Sequence, residues 1–382
     1  MIPRKAALKE IDNVFSYFPI CGLIGSRQIG KTTLALEYAK KYETYYHFDL
    51  EDPVDFQKLL DPKLLFESLS ELVIIDEIQR CPELFQFLRV IADRRQDLKI
   101  LLLGSSSRDV LEKSSESLAG RVSYVELSSF SLTEIEDPKK LWLQGGFPKA
   151  YLAPDAKTSF FWLKNYITSF VERDLRSIGF NLEPQNIRRL LAILAQSHGN
   201  VANYSDISKT IGISNVTVKK YIDILESAFI ISVLKPWFEN ISKRQIKAPK
   251  IYIKDSGILH YLLGVDDKID LHPKCGVSWE GFAIQQIIGK FAHDKNDAFF
   301  WRTNAGAELD LLIVRDGKKT GFEIKYTSVP KVTPSMISAM EDLELDELFV
   351  VTPGNDTYLL KENIQVVGLY PLLKRMDITC HY

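Results

Sequence analysis

Residues Gly25-Ser26-Arg27-Gln28-Ile29-Gly30-Lys31-Thr32 follow the pattern G-x-x-x-x-G-K-[ST]. The pattern constrains the fold because its residue types suit one task, holding a phosphate chain. Gly25 and Gly30 accept backbone angles that bring amide N–H groups around an anion. Lys31 brings a point charge to β- and γ-phosphates, and Thr32 offers a hydroxyl to Mg²⁺. The flanks agree. Ile20–Ile24 is short and largely apolar, as a buried strand is. Leu34, Ala35, Tyr38 and Ala39 then recur at helical spacing, so a helix N-terminus faces the phosphates. A bound nucleoside triphosphate is the expectation.

A second segment supports it. Leu72-Val73-Ile74-Ile75-Asp76-Glu77 is an apolar strand ending in two acids. Triphosphate hydrolysis needs one acid to hold Mg²⁺ and another to polarise the attacking water. Asp76 suits the first role and Glu77 the second. A third apolar strand, Lys99–Gly104, ends in Ser105 and Ser106. In triphosphatases with an adjacent Asp-Glu pair, such a strand lies between the loop strand and the acidic strand, and its tip senses the γ-phosphate. Ser105 or Ser106 fits that role, and either equally suits a helix N-cap over 107–115.

The chain has 382 residues, which implies two or three domains. Its composition, 46% hydrophobic and 26% charged, is that of a globular protein. A net charge of −2 excludes a global basic field but not a local one. Cys21, Cys81, Cys275 and Cys380 are scattered, which argues for a reducing compartment and against a zinc site. No apolar run nears the ~18 residues of a membrane span, and Met1-Ile2-Pro3-Arg4-Lys5 does not open a signal peptide. A cytoplasmic location without a membrane partner is expected.

The first part alternates strands, Ile20–Ile24, Tyr45–Leu50, Leu72–Asp76, Lys99–Gly104 and Val122–Leu127, with helices, the pattern of a covered parallel sheet. After Pro138 or Gly145-Gly146-Phe147-Pro148 it turns helical, over Ser159–Leu175 and Gln185–Gln196. Residues 203–226 then read as a helix-turn-helix with Gly212 in the turn, and Ile230–Leu234 and Lys250–Ile253 as wing strands. Lys243, Arg244, Lys247 and Lys250 lie near the connection of the wing strands, and Asn215, Thr217, Lys219 and Lys220 suit a DNA groove. A protein-contact module is the other reading.

Near the C-terminus, Phe299–Arg302, Glu308–Val314 and Lys319–Lys325 read as strands around an Asp316-Gly317 turn. Alternation puts Glu323 and Lys325 on one face, and hairpin pairing brings Asp310 towards them. Glu280 lies on an upstream amphipathic helix, 279–290. Asp, hairpin and Glu-x-Lys form the layout of a Mg²⁺-dependent phosphodiesterase site, with Glu280, Asp310 and Glu323 at a second metal and Lys325 orienting water. A hairpin with polar ends is the alternative.

Together these motifs, with Leu118-Ala119-Gly120-Arg121 and Phe170-Val171-Glu172-Arg173-Asp174, resemble the prokaryotic AAA-domain ATPases that carry a winged helix and a C-terminal restriction-endonuclease-like domain of unknown function. The resemblance spans nearly the whole chain. It implies ATP with Mg²⁺ and an α/β architecture in four parts: an AAA-like parallel-sheet P-loop core over 1–142, a helical lid over 143–198, a winged helix-turn-helix over 199–265, and an endonuclease-like α/β domain over 266–382. It places Gly25 to Thr33 around the nucleotide, Thr33 included. It makes Arg121 a charged partner for the γ-phosphate, against a salt-bridged surface arginine, and Pro148 an adenine contact, against a plain turn breaker. Three functions stay open: an ATP-driven switch or motor acting on DNA or a protein partner, an ATP-gated metal-dependent nuclease, and a nucleotide-sensing scaffold with little turnover.

Overall fold

The computed structural model describes residues 2–105, 118–177, 180, 182–238, 247–265, 268–292 and 294–375. The chain divides into two compact units. The first comprises Met1–Ser129 with two later segments, Asp174–Asn181 and Ser227–Ile230. The second takes Phe130–Arg173, Leu182–Glu226 and Ile231–Tyr382.

In the first unit, strands β1 (Ile20–Ile24), β2 (Tyr45–Asp49), β3 (Leu72–Asp76), β4 (Lys99–Gly104) and β5 (Val122–Glu126) form a sheet ordered β2-β3-β4-β1-β5. All pairings are parallel. Every residue of β1 and β3 is buried, as their apolar sequences require in a sheet covered on both faces. Parallel pairing gathers the C-terminal ends of β1, β3 and β4 at one edge, so the loop after Ile24, the acids after Ile75 and Ser105 meet there. The expected interposition of β4 between β1 and β3 is observed. The helix expected over 107–115, and Ser106 before it, lie outside the described residues.

The second unit holds an eight-stranded mixed sheet ordered β12-β13-β11-β10-β9-β8-β6-β7, built from β6 (Ile231–Pro236), β7 (Lys250–Ile253), β8 (Ala298–Arg302), β9 (Glu308–Arg315), β10 (Lys318–Ile324), β11 (Glu347–Thr352), β12 (Thr357–Lys361) and β13 (Ile364–Gly368). Helices Tyr204–Ile211 and Asn215–Ser227 flank Gly212, whose φ of +83° makes the turn. The pair β6–β7 is antiparallel, as a wing would be. It is not a free wing, however, because β6 also pairs in parallel with β8. The two segments read as separate domains thus share one sheet. The helix Ala156–Ser169 gives way to a π-helical turn at Phe170–Asp174 where a continuous helix was expected. Lys243 and Arg244 lie outside the described residues. Among those described, no helix is long and apolar enough to cross a membrane.

Candidate functional sites

The loop after β1 turns on Gly25 (φ +153°), Gln28 (φ +60°) and Gly30 (φ +99°), and Gly30 caps the helix Lys31–Ala39. Ser26 and Ile29 are buried, while Gln28 and Thr33 face outward. Lys31 is buried and folds back into the loop, donating from Nζ to the carbonyls of Gly25 (2.9 Å) and Ser26 (3.0 Å). Burial pushes Lys31 down to about 8 despite the nearby Glu77 and Asp76. The Thr32 hydroxyl donates to Asp76 Oδ2 at 2.6 Å, and Asp76 Oδ1 accepts the Glu77 N–H at 2.9 Å. A hydroxyl beside a carboxylate at a helix N-terminus is the oxygen donor set Mg²⁺ takes alongside phosphates, so the residues fit that ion.

Glu77 has φ +54°, an αL backbone for a non-glycine residue. Its Oε2 accepts from Gln79 Nε2 and from Ser105 Oγ (3.2 Å), and Gln79 Nε2 also reaches Ser105 Oγ (3.2 Å). Burial raises the Glu77 pKa, opposed by Lys31 and Gln79. Ser105 therefore stands beside the Glu77 carboxylate. Gln79 was not foreseen, since only the short 3₁₀ turn Ile78–Arg80 returns its amide to Glu77. Arg27 donates to Asp174 (2.6 Å) and to Glu51 (3.2 Å), which accounts for the acid of the Glu172-Arg173-Asp174 motif.

One expected nucleotide contact is corrected. Arg121 precedes β5, and its carbonyl accepts the N–H of Ile20 (3.2 Å) at the N-terminal end of β1. The phosphate loop is at the other end, about 13 Å further along at ~3.3 Å per residue. The Arg121 guanidinium binds Asp93 through two nitrogens (2.6 and 3.0 Å), so within this chain it is a salt-bridged surface arginine. Pro148 belongs to the second unit, where it occupies the first turn of the helix Pro148–Tyr151. That position suits a proline whether or not it meets a base.

In the second unit, β9 and β10 pair with Phe322 opposite Leu311, which sets Glu323 across from Asp310. Ile324 N–H donates to Asp310 Oδ2 (2.8 Å), Lys325 Nζ pairs with Glu323 (2.6 Å), and Glu280 Oε1 accepts from the Tyr252 hydroxyl (2.7 Å). The expected group of Glu280, Asp310, Glu323 and Lys325 is thus brought together, but with an addition. Lys250, read from sequence as the first residue of a wing strand, points inward with its side chain 4% exposed, and its Nζ lies 2.6 Å from Glu308, 3.6 Å from Glu280 and 3.9 Å from Asp310. Burial works against its charge, yet Glu280, Asp310 and Glu308 hold its pKa above the ordinary lysine value. Burial, then Asp310, pushes Glu280 up to about 7 and Glu323 up to about 8. Among the described residues no group of three or more His, Cys, Asp or Glu side chains is set to hold a metal ion.

A parallel sheet in this order, with a glycine-rich loop after β1 and an Asp-Glu pair ending β3, defines a P-loop core of the AAA type. Residues 17–136 match the model of the AAA domain, 135–269 a domain of unknown function (DUF8612), and 275–372 a domain of unknown function (DUF4143). An uncharacterized protein of Mycobacterium tuberculosis is 41% identical over 372 residues, covering 96% of this chain and 84% of that protein. An uncharacterized protein of Haemophilus influenzae is 24% identical over 69% of this chain and 74% of its own length. The chain belongs to this prokaryotic AAA-domain ATPase family. In fold it is similar to the Walker-type ATPase of Pyrococcus abyssi (TM-score 0.50, 17% identity, 69% of this chain and 96% of that one).

The burial of Lys31 makes a pH prediction. Phosphate binding needs the ammonium form, and the free chain loses it as pH rises through about 8. Above that pH the complex must take up a proton, so ATP affinity is expected to fall by up to roughly tenfold per pH unit, and to change little between pH 6.5 and 7.5. Calorimetric titration in two buffers of different ionisation enthalpy reads both the affinity and the proton uptake.

Proposed function

We propose that this protein hydrolyses ATP with Mg²⁺ and uses the cycle as a switch or motor. The observation that carries the reading is the meeting of Lys31, the Thr32–Asp76 pair and Glu77, held by Gln79 and Ser105, at one edge of the parallel sheet. Lys31 exchanges the loop carbonyls for β- and γ-phosphate oxygens. Thr32 and Asp76 hold Mg²⁺, which offsets phosphate charge when bound. Among the described residues both polar contacts on the Glu77 carboxylate fall on Oε2, and Oε1 is the oxygen that accepts a proton from water. That water attacks the γ-phosphorus, the bond to the bridging oxygen breaks, and ADP and phosphate result. The competing reading is a nucleotide-sensing scaffold, which has no use for a positioned water-polarising acid. The exposed Asn215, Lys219 and Lys220 on the second helix of the turn support DNA as the coupled partner.

The experiment is phosphate release from Mg-ATP by the full chain, with and without duplex DNA. We expect turnover without DNA and an increase with it at low salt. ATP binding with no turnover under either condition favours the scaffold, and no ATP binding overturns the reading.

A further inference from the structure

We propose that Lys250 is a built-in cation that takes the place of a divalent metal in the carboxylate cluster of the second unit, so that the Asp–hairpin–Glu-x-Lys frame is kept without metal uptake. The inference is independent of ATP chemistry in the first unit. The motif asks for a metal, and the side chains gathered around it answer with an ammonium.

An ammonium this deeply buried persists only if carboxylates surround it, because an unpaired interior charge is strongly disfavoured. Glu308, Glu280 and Asp310 supply that surround at 2.6, 3.6 and 3.9 Å, and the ring of Phe300 faces the same nitrogen at 5.5 Å. The backbone beneath it is fixed. Lys250 pairs with Leu234 in β6 and bridges to Val201 on its other side. A Mg²⁺ ion would demand near-octahedral oxygen ligands at about 2.1 Å. Two of these oxygens also accept one hydrogen bond each, Asp310 Oδ2 from the Ile324 N–H and Glu280 Oε1 from the Tyr252 hydroxyl, so it is the ammonium that occupies the place of a cation. Glu323 is drawn to Lys325 instead. Charge points the same way. The four carboxylates Glu280, Glu308, Asp310 and Glu323 face three cationic side chains, Lys250, Lys325 and Arg302, the last 3.4 Å from Glu308. Little negative surplus remains to attract a dication, and Lys250 would repel one.

The test titrates the nucleotide-free full chain with MnCl₂, reading bound Mn²⁺ by electron paramagnetic resonance and stability by thermal unfolding. The parent and Asp310→Asn are compared first, which cancels any Mn²⁺ taken up at Thr32 and Asp76. We expect the two to bind alike. Lys250→Met keeps the length of the side chain and removes its charge, and we expect it to gain one Mn²⁺ site, at least tenfold tighter than in the parent and lost again in Lys250→Met/Asp310→Asn. Mn²⁺ binding by the parent that Asp310→Asn weakens tenfold or more overturns the proposal. So does a folded Lys250→Met that gains no site. If Lys250→Met does not fold, the comparison of the parent with Asp310→Asn decides alone.

Discussion

Glu77→Gln is expected to lower ATP turnover by about 10²–10⁴ while leaving ATP bound, because an amide keeps the shape of the acid and loses its capacity to take a proton from water. Nothing else in the site has to move. Gln79 and Ser105 donate to Oε2 of Glu77, and the glutamine's amide oxygen accepts the same bonds. Lys31→Ala gives the opposite split, since it removes the charge that meets the phosphates and so costs affinity first. Gln79→Leu separates positioning from structure. It removes a donor that favours the ionised carboxylate, so the acidic limb of the turnover–pH profile is expected to move to higher pH while ATP affinity stays. Turnover, ATP affinity and the pH profile of the three variants check the assignment. Parent-level turnover in Glu77→Gln would remove Glu77 from the mechanism.

The residues that were legible from sequence are those whose role follows from local pattern. Gly25 to Thr32 sit between a buried strand and a helix, and Asp76 and Glu77 end a strand that is apolar at every other position. What was not legible depends on which ends of distant strands meet. Arg121 adjoins β5, which pairs with β1, yet it lies at that strand's start, and nothing local distinguishes the two ends of a parallel pair. Arg27 and Asp174 are 147 positions apart, and no local pattern connects them. Lys250 opens the strand Lys-Ile-Tyr-Ile, where one polar residue at a strand end reads as solvent-facing. All four residues of β7 are buried because β6 and β7 complete the sheet that carries Glu308 and Asp310. The charge was visible in the sequence, and the acids that allow it inside come from two other elements, β9 and the helix Cys275–Phe291.

Gly25→Ala is expected to weaken ATP binding roughly 5- to 150-fold, the equivalent of the about 1–3 kcal/mol that an overpacked contact costs. A Cβ at position 25 would lie 2.4 Å from the carbonyl oxygen of Leu127 and 3.3 Å from its carbon. That carbonyl cannot easily give way, because the Leu127 N–H is bound to Ile24 O at 2.7 Å and continues the pairing of β5 with β1. The loop must yield instead. Its backbone at Gly25 has φ +153°, and its carbonyl is one of the two that hold Lys31. Displacing it misplaces both the amides and the lysine that phosphates require. Gly276→Ala is the control. A Cβ there meets nothing within 4 Å, and ATP affinity should be unchanged. Calorimetry with ATP measures both, and thermal unfolding separates loss of the loop from loss of the fold. A folded Gly25→Ala that binds ATP within twofold of the parent would mean that phosphates are held by a loop conformation other than the one Leu127 enforces.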